Sequence, residues 1–461
     1  MHLDKIKVHR VRELALITLV EIDQKKNHLH LVLHRLLEKE KVNTRDAALI
    51  TEITYGVVRN RNKLDWIISQ FSKKEFSKTP VWIKNILRMG VYQLFFLERV
   101  PGYAVVNESV QLAKKYGDTI LAKLVNGILR NIDRSRGSIY WPDKNKEPAL
   151  YLSVIYSHPL EIIERWLKRF GFEDTVKICI ANNKIPPLTI RTNTLKLSRS
   201  DLKRIFEEKN IGVREGTFAE EALYLEGLPW VTKAPAYREG LFQIQDESSM
   251  LVSHLVNPLP GEVVMDLCSA PGGKTTHLAQ LMKNQGTILA FEVNKARLSL
   301  VEEHCKRLGI KIVKALPLDA TQVNPQFIAQ ADKVLADVPC SGLGVLRRKP
   351  DLKWQALNPA RWQKLSQLQA QILFVASRYT KIGGELIYST CTTEPEENEE
   401  VVNQFLARNP NFALVDLTDF IRTRGLKLYK TEPKGFLSLY PGLFSSDLDG
   451  FFMAKLIRKK E

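Results

Sequence analysis

Apolar positions over residues 1–140 recur at helical spacing. Leu14 and Ile17 with Glu21 alternate between faces, and Asn43-Thr44 precede a run through Ile50, Ile53, Val57 and Val58. Thr79-Pro80 reads as a cap followed by proline at the first helical position. The next stripe is Ile83, Leu87, Gly90 and Leu94. Val105, Val106, Val110 and Ala113 form another that stops at Gly117, and Ile120, Leu121, Leu124, Val125 and Ile128 form the last. An all-α bundle is predicted over 1–140. The pattern then changes. Tyr140-Trp141-Pro142 and the charged stretch to Pro148 read as a linker, and a helix from Pro159 ends near Gly171. Leu188–Asn193 alternates as a strand with Arg191 exposed, followed by a helix through Leu202–Lys209 and strands near Ala222–Leu225. This predicts a small α+β module over 150–240. From 241 to 461, strands at Val263–Leu267, Thr287–Glu292, Val334–Asp337 and Leu386–Ser389 alternate with helical segments. Such alternation predicts an α/β, Rossmann-like domain with a mostly parallel sheet covered on both faces.

Composition adds limits to this multidomain plan. The 461 residues are 44% hydrophobic and 26% charged, enough for a sizeable core in each domain. No apolar run approaches the ~20 residues of a membrane span, and Met1-His2-Leu3-Asp4-Lys5 carries no signal-peptide core. A cytoplasmic protein with no membrane partner is expected. The net charge is +17. Residues 1–141 hold 25 Lys/Arg against 14 Asp/Glu, a net +11, a field that attracts polyphosphate backbones without reading sequence. The five cysteines (179, 268, 305, 340, 391) include no CxxC pair, so neither a metal site nor a disulfide framework is expected.

Candidate chemistry lies in three short segments. Asp266-Leu267-Cys268-Ser269-Ala270-Pro271-Gly272-Gly273-Lys274-Thr275 runs from strand through a glycine turn into a helix, where open α/β sheets hold nucleotide-like cofactors. Gly273-Lys274-Thr275 ends like a P-loop, but Cys268 stands where its first glycine belongs, and the dinucleotide glycine pattern also fails. A turn with few glycines and a preceding acid, Asp266, suits a cofactor without a pyrophosphate, such as S-adenosyl-L-methionine. The expected cofactor contacts are Cys268, Ser269, Ala270, Pro271, Gly272, Gly273 and Lys274, with Glu292 on the ribose and Asp319 on the adenine amino group. Cys340, in Asp337-Val338-Pro339-Cys340-Ser341-Gly342, and Cys391, in Ser389-Thr390-Cys391-Thr392, occupy polar turns at other strand ends. Two thiols facing one crevice suggest covalent attack on an electron-poor ring, although cysteine is often a small buried hydrophobe. Asp337 serves either the cofactor or the base, and Lys274 either Asp337 or a phosphate. Glu394-Pro395-Glu396 reads as a helix start whose dipole favours a thiolate at Cys391, with the two carboxylates opposing it. Arg191, Arg347, Arg348 and Lys349 are candidate RNA contacts.

Ala104–Val110 and Leu124–Arg130 resemble the NusB-type RNA-binding helical fold. Asp266–Thr275, Asp337–Gly342 and Ser389–Thr392 resemble the RNA cytosine-C5 methyltransferases, and with the helical domain in front the chain is similar to the bacterial ribosomal small subunit methyltransferase B family. Ser269 departs from the alanine frequent there, a harmless change in a turn that acts through its backbone. The resemblance implies an S-adenosylmethionine-dependent enzyme in which Cys391 attacks carbon 6 of cytosine and Cys340 assists the elimination. It implies 16S rRNA in an unassembled or partly assembled small subunit as substrate, and a monomer. The rivals are a tRNA cytosine-C5 methyltransferase, a DNA cytosine methyltransferase, and a non-catalytic RNA assembly factor. The Thr-Cys turn and the helical domain disfavour the DNA enzyme, and both thiols disfavour the assembly factor.

Overall fold

The computed structural model describes residues 2–72, 75–227, 231–355, 359–429, 433–445 and 447–459. The chain divides in space into residues 1–184 with 346–357, and residues 185–345 with 358–461. Among the described residues no helix is long and apolar enough to cross a membrane.

The first unit is all-helical. Helix Thr44–Arg59 starts where Asn43 accepts the Asp46 N–H (3.0 Å), an N-cap that satisfies an orphan donor. Helix Val81–Phe96 is buried on most sides, at Ile83, Ile86, Leu87, Met89 and Val91, and is the centre around which the others pack. Pro80 is its cap residue, one position earlier than the expected N1. Helix Thr119–Arg134 buries Ala122, Val125, Ile128, Leu129 and Ile132. Ile120 and Leu124, expected on that stripe, are 77% and 41% exposed, because the inner face is set by the i, i+3, i+4 series from Ala122. Helices Pro148–Ile155 and Leu160–Asn183, the latter broken at Gly171 (φ 77°), group with this unit. The spatial division therefore falls at Lys184, later than the linker expected at 140–148. Residues 346–357 also pack here. Trp354 Nε1 donates to Val58 O (2.8 Å), and fully buried Lys353 donates to Ser157 O (3.1 Å) and Asn183 Oδ1 (2.7 Å). Burial pushes the Lys353 ammonium down to about 7.

The second unit contains two sheets. Strands β1 (Leu188–Thr192), β2 (Gly212–Glu215), β3 (Ala222–Glu226) and β4 (Phe242–Ile244) form an antiparallel sheet in the order β2-β3-β1-β4. The larger sheet holds β5 (Val263–Asp266), β6 (Thr287–Phe291), β7 (Val313–Leu316), β8 (Ala331–Asp337), β9 (Thr380–Thr390), β10 (Phe412–Leu414), β11 (Phe436–Leu439) and β12 (Phe451–Arg458). Its order is β10-β12-β9-β8-β5-β6-β7, with β11 also on β12. β5 to β9 pair in parallel, and β12 runs antiparallel to β9. Chain order reverses between β5 and β8, the position at which open α/β sheets leave a crevice at the carboxyl ends of their strands. Val334, Leu335, Ala336, Leu386, Ile387 and Tyr388 are fully buried, the continuous apolar run of a strand covered on both faces.

Two backbone hydrogen bonds tie Gly344 to Cys391 and Gly450 beyond the ends of the strands. Gly344 N donates to Cys391 O (3.0 Å), and Gly450 N donates to Gly344 O (2.8 Å). A Cβ on Gly344 would lie 2.2 Å from Gly450 O, and neither backbone has room to retreat. Gly344→Ala is expected to destabilise the protein by roughly 1–3 kcal/mol, seen as a lower midpoint in thermal unfolding followed by circular dichroism.

Candidate active site

β5 delivers Asp266 to the crevice, and the glycine turn after it enters helix Gly273–Leu281. Gly272 has φ 102°, and a Cβ there would meet Val301 Cα at 3.2 Å, so glycine alone fits without strain. Ser269 ties the turn to β6, its N–H and hydroxyl both donating to Phe291 O (3.0 Å each). Asp266 accepts from Thr275 Oγ1 (2.7 Å), while its buried Oδ1 takes no well-aligned hydrogen bond. Burial lifts this carboxyl to about 7. The turn forms one wall of a pocket of ≈ 200 Å³ that includes Asp266, Cys268 to Pro271, Gly273, Lys274 and Asp337. The opposite wall is Ile244, Gln245, Asp246 and Ser249.

Lys274 Nζ donates to Asp337 Oδ2 (2.7 Å), and Ser389 Oγ donates to Asp337 Oδ1 (2.7 Å). Of the two contacts expected for Lys274, the aspartate is the one formed. Burial opposes the Lys274 charge, yet Asp337 more than offsets it and lifts the ammonium above its ordinary value. Cys268 is pushed well up by burial and by the nearby Asp266 and Asp337 carboxylates, so it stays a neutral thiol on the pocket wall.

The two predicted cysteines meet. β8 and β9 are paired so that Asp337 lies opposite Ser389, and the turns beyond them bring Cys340 Sγ to 3.3 Å from Cys391 Sγ. Ser341 Oγ and Thr392 Oγ1, the next residue in each turn, are 2.8 Å apart. The contact with Cys391 and burial both raise Cys340, which therefore holds its proton in the resting pair. The helix expected to open at Glu394 is a three-residue 3₁₀ turn, Pro395–Glu397, and the next helix starts at Glu399. A helix dipole fades within its first turn, so that field does not reach Cys391.

Other expected contacts are placed differently. Arg191 is 1% exposed, not a surface cation. It bonds Gln245 Oε1, Gly273 O (2.7 Å) and Thr276 Oγ1 (3.0 Å), so it braces the glycine turn and is inaccessible to a phosphate. Burial pushes it down to about 9. Arg347 is also buried (1%), so it too is withdrawn from the surface, whereas Lys349 is exposed and Arg348 half-buried. Glu292 follows β6, but its carboxylate accepts from Asn294 N (2.9 Å) and pairs with Arg297 (3.2 Å). Asp319 lies three residues past β7 in an exposed turn, accepting from Thr321 N (2.9 Å). Gly272, Glu292 and Asp319 are not on the pocket wall.

Sequence reasoning used Asp266 only as the acid preceding the glycine turn, without a contact of its own, and missed Ile244, Gln245, Asp246 and Ser249 on the pocket wall. Asp246 caps helix Glu247–Val256, a signal readable in sequence that says nothing about a pocket. It also missed a cluster of Glu221, His254 and His277, whose donor atoms lie within 4.8 Å of one another. Glu221 is held ionised by the two histidines despite its burial, and it acts electrostatically on buried Arg191. Its charge is thus matched within the protein, and a divalent ion there would leave the interior positively charged.

Comparison with known proteins agrees with this architecture. Residues 253–457 match the family described as 16S rRNA methyltransferase RsmB/F. Residues 9–134 match the NusB family, and residues 158–231 match the ferredoxin-like domain of RsmF/B-like methyltransferases. The chain is 34% identical to the probable ribosomal RNA small subunit methyltransferase B of Bacillus subtilis, covering 98% of this chain and 100% of that protein. It is 31% identical to ribosomal RNA small subunit methyltransferase B of Cronobacter sakazakii over 97% and 99% of the two chains. The crystal structure of PH0851 superposes with a TM-score of 0.81 at 29% identity, covering 96% of this chain and 97% of that one. NSun6 from Pyrococcus horikoshii, solved with SFG, has a TM-score of 0.58 at 26% identity, covering 67% and 100%.

Arg191→Met removes the buried cation beside Glu221 together with the bonds to Gln245 Oε1, Gly273 O and Thr276 Oγ1. It is expected to cost about 3–5 kcal/mol, with no change in the salt slope of RNA binding. Normal melting together with a slope reduced by about one would mean that Arg191 contacts phosphate after all.

Proposed function

The chain belongs to the 16S rRNA methyltransferase RsmB/F family, and from that premise we propose that it methylates carbon 5 of a cytosine in small-subunit rRNA through a covalent adduct to Cys391. The observation that carries this reading is the pair of thiols 3.3 Å apart beside the Asp337–Lys274 ion pair. Carbon 5 of cytosine is too weak a nucleophile to take a methyl group unaided. The Cys391 thiolate forms a bond to carbon 6, and the ring electrons move to carbon 5. Asp337, an acceptor held from both sides by Lys274 and Ser389, takes a hydrogen bond from the protonated N3 edge and stabilises that adduct. After methylation, carbon 5 loses its proton, the carbon 6–sulfur bond breaks, and Cys340 assists this elimination. The target base must leave its stack to reach the thiols, which favours a single-stranded or loop cytosine.

S-adenosylmethionine supplies the electrophilic methyl group. The pocket suits it: Asp266 keeps a buried oxygen without a well-aligned donor, an acceptor for an ammonium group, and the glycine turn offers backbone to a ligand without a pyrophosphate. SFG, found with the related NSun6, is an analogue of this cofactor. Glu292, next to the turn, is the ribose acceptor in this reading, exchanging its Arg297 contact for hydroxyls. The basic helical domain supplies RNA affinity and placement.

Two measurements test the reading. Glu292→Ala should weaken cofactor binding by roughly 1.5–3 kcal/mol in calorimetry; unchanged affinity would remove Glu292 from the cofactor site. With small-subunit rRNA and labelled cofactor, Cys391→Ala should give neither methylation nor adduct. Cys340→Ala should accumulate a protein–RNA adduct that survives a denaturing gel. An adduct with Cys391→Ala and none with Cys340→Ala would reverse the two roles, and normal methylation by both would make the cysteines structural.

A further inference from the structure

Cooperation between two thiols on separate loops requires the loops to be held in common register. Neither strand end provides that by itself, because each turn leaves its strand before reaching its cysteine. The segment after Cys391 closes the gap. Glu397 Oε2 accepts from Ser341 N (2.8 Å), the residue after Cys340, and from Gln369 Nε2 (2.9 Å). The same Gln369 amide donates to Pro339 O (2.9 Å), the residue before Cys340. Asn398 does the corresponding work on the other turn: its Oδ1 accepts from Thr390 Oγ1 (2.6 Å), and its Nδ2 donates to Thr392 O (3.1 Å). These are the two neighbours of Cys391. Tyr388 in β9 anchors the clip itself, its hydroxyl donating to Glu397 O (2.6 Å). Glu397 and Gln369 are wholly buried and Asn398 is 2% exposed, so water does not compete for these bonds.

We propose that Glu397 and Asn398 are positioning residues for methyl transfer, Glu397 setting the Cys340 turn and Asn398 the Cys391 turn, and that being consecutive they lock the two thiols at working separation. The proposal rests on the two-cysteine reading above. Charge supports the geometry: besides its contact with Cys391 and its burial, Cys340 feels the Glu397 carboxylate, which also favours the thiol.

The test is made on the full-length protein with two independent readouts. Displacing a reacting group by about 1 Å costs about 10²-fold in rate, so Glu397→Ala should lower kcat by that order while KM for the RNA and cofactor affinity stay within twofold. It should also accumulate the adduct, as Cys340→Ala does, and Glu397→Gln, which retains an acceptor oxygen, should restore most of kcat. Asn398→Ala should lose methylation and adduct together. The second readout needs no RNA: the rate at which diamide joins Cys340 to Cys391, followed by peptide mass spectrometry. It should fall about tenfold in Glu397→Ala and recover in Glu397→Gln, since disulfide closure is strict in geometry. Wild-type kcat and closure rate in both alanine variants would overturn the proposal, as would a parallel loss of folding, cofactor binding and activity that Glu397→Gln fails to rescue. Slowed disulfide closure in variants of a protein that forms no RNA adduct would instead leave the clip intact and refute the covalent mechanism.

Discussion

The parallel register of β8 with β9 is the constraint on which the site depends. Asp337 opposes Ser389, and Val338 N donates to Ser389 O (3.1 Å), so the ladder continues to the edge of the crevice. A slip of one residue would turn Asp337 away from Lys274 and carry each cysteine turn to the other face. The slip is resisted by burial on both faces: Leu335 and Ala336 against Ile387 and Tyr388, all without solvent contact. The strand ends from which both cysteine turns depart are therefore placed by apolar packing several residues away from any sulfur.

Electrostatics then distinguishes the five cysteines. Burial lifts Cys179 to about 12 and Cys305 to about 11, the behaviour of core thiols. Cys268 faces the pocket but stands among carboxylates that keep it protonated. Only Cys340 and Cys391 share a polar turn environment with hydroxyl and amide partners on both flanks. The Lys274–Asp337 pair, with 13% and 26% side-chain exposure, is a costly arrangement for a mostly enclosed site.

Much of this was legible in the sequence where a local rule had one outcome. The helical bundle, the alternating α/β half, the glycine turn and both cysteine turns follow from periodicity and from residue types whose backbone demands are narrow. Failures came where a residue's role depends on something far along the chain. Arg191 occupies an alternating strand, and alternation marks which residues share a face but not whether the polar face meets water or a second sheet. Arg347 suffers the same fate in a basic run. For Asp319 the strand-end rule does not say how far it stands from the pocket, because β7 stops at Leu316 and leaves it in a turn of its own. Glu397 reads as one of four acids in Glu394–Glu399, and nothing local marks it as the one that reaches the Cys340 turn.

The small sheet is the part whose purpose periodicity could not reveal, and two arginines, Arg191 buried and Arg307 half-buried, supply it. Arg191 leaves β1 to bond Gly273 O and Thr276 Oγ1 in the cofactor turn. In the opposite direction, Arg307, from helix Lys295–Leu308 after β6, donates to Tyr237 O and Phe242 O (2.9 Å each) and lies 3.8 Å from the centre of the Tyr237 ring. Each arginine reaches elements of the other sheet with directed hydrogen bonds, to at least one backbone carbonyl in each case, and these fix relative position more tightly than apolar contact alone. The exchange also explains why Ile244 to Asp246, just past β1's neighbour β4, form a wall of the pocket. The small module is built into the pocket wall, so a change at Arg191 reaches the pocket through the turn that Arg191 holds.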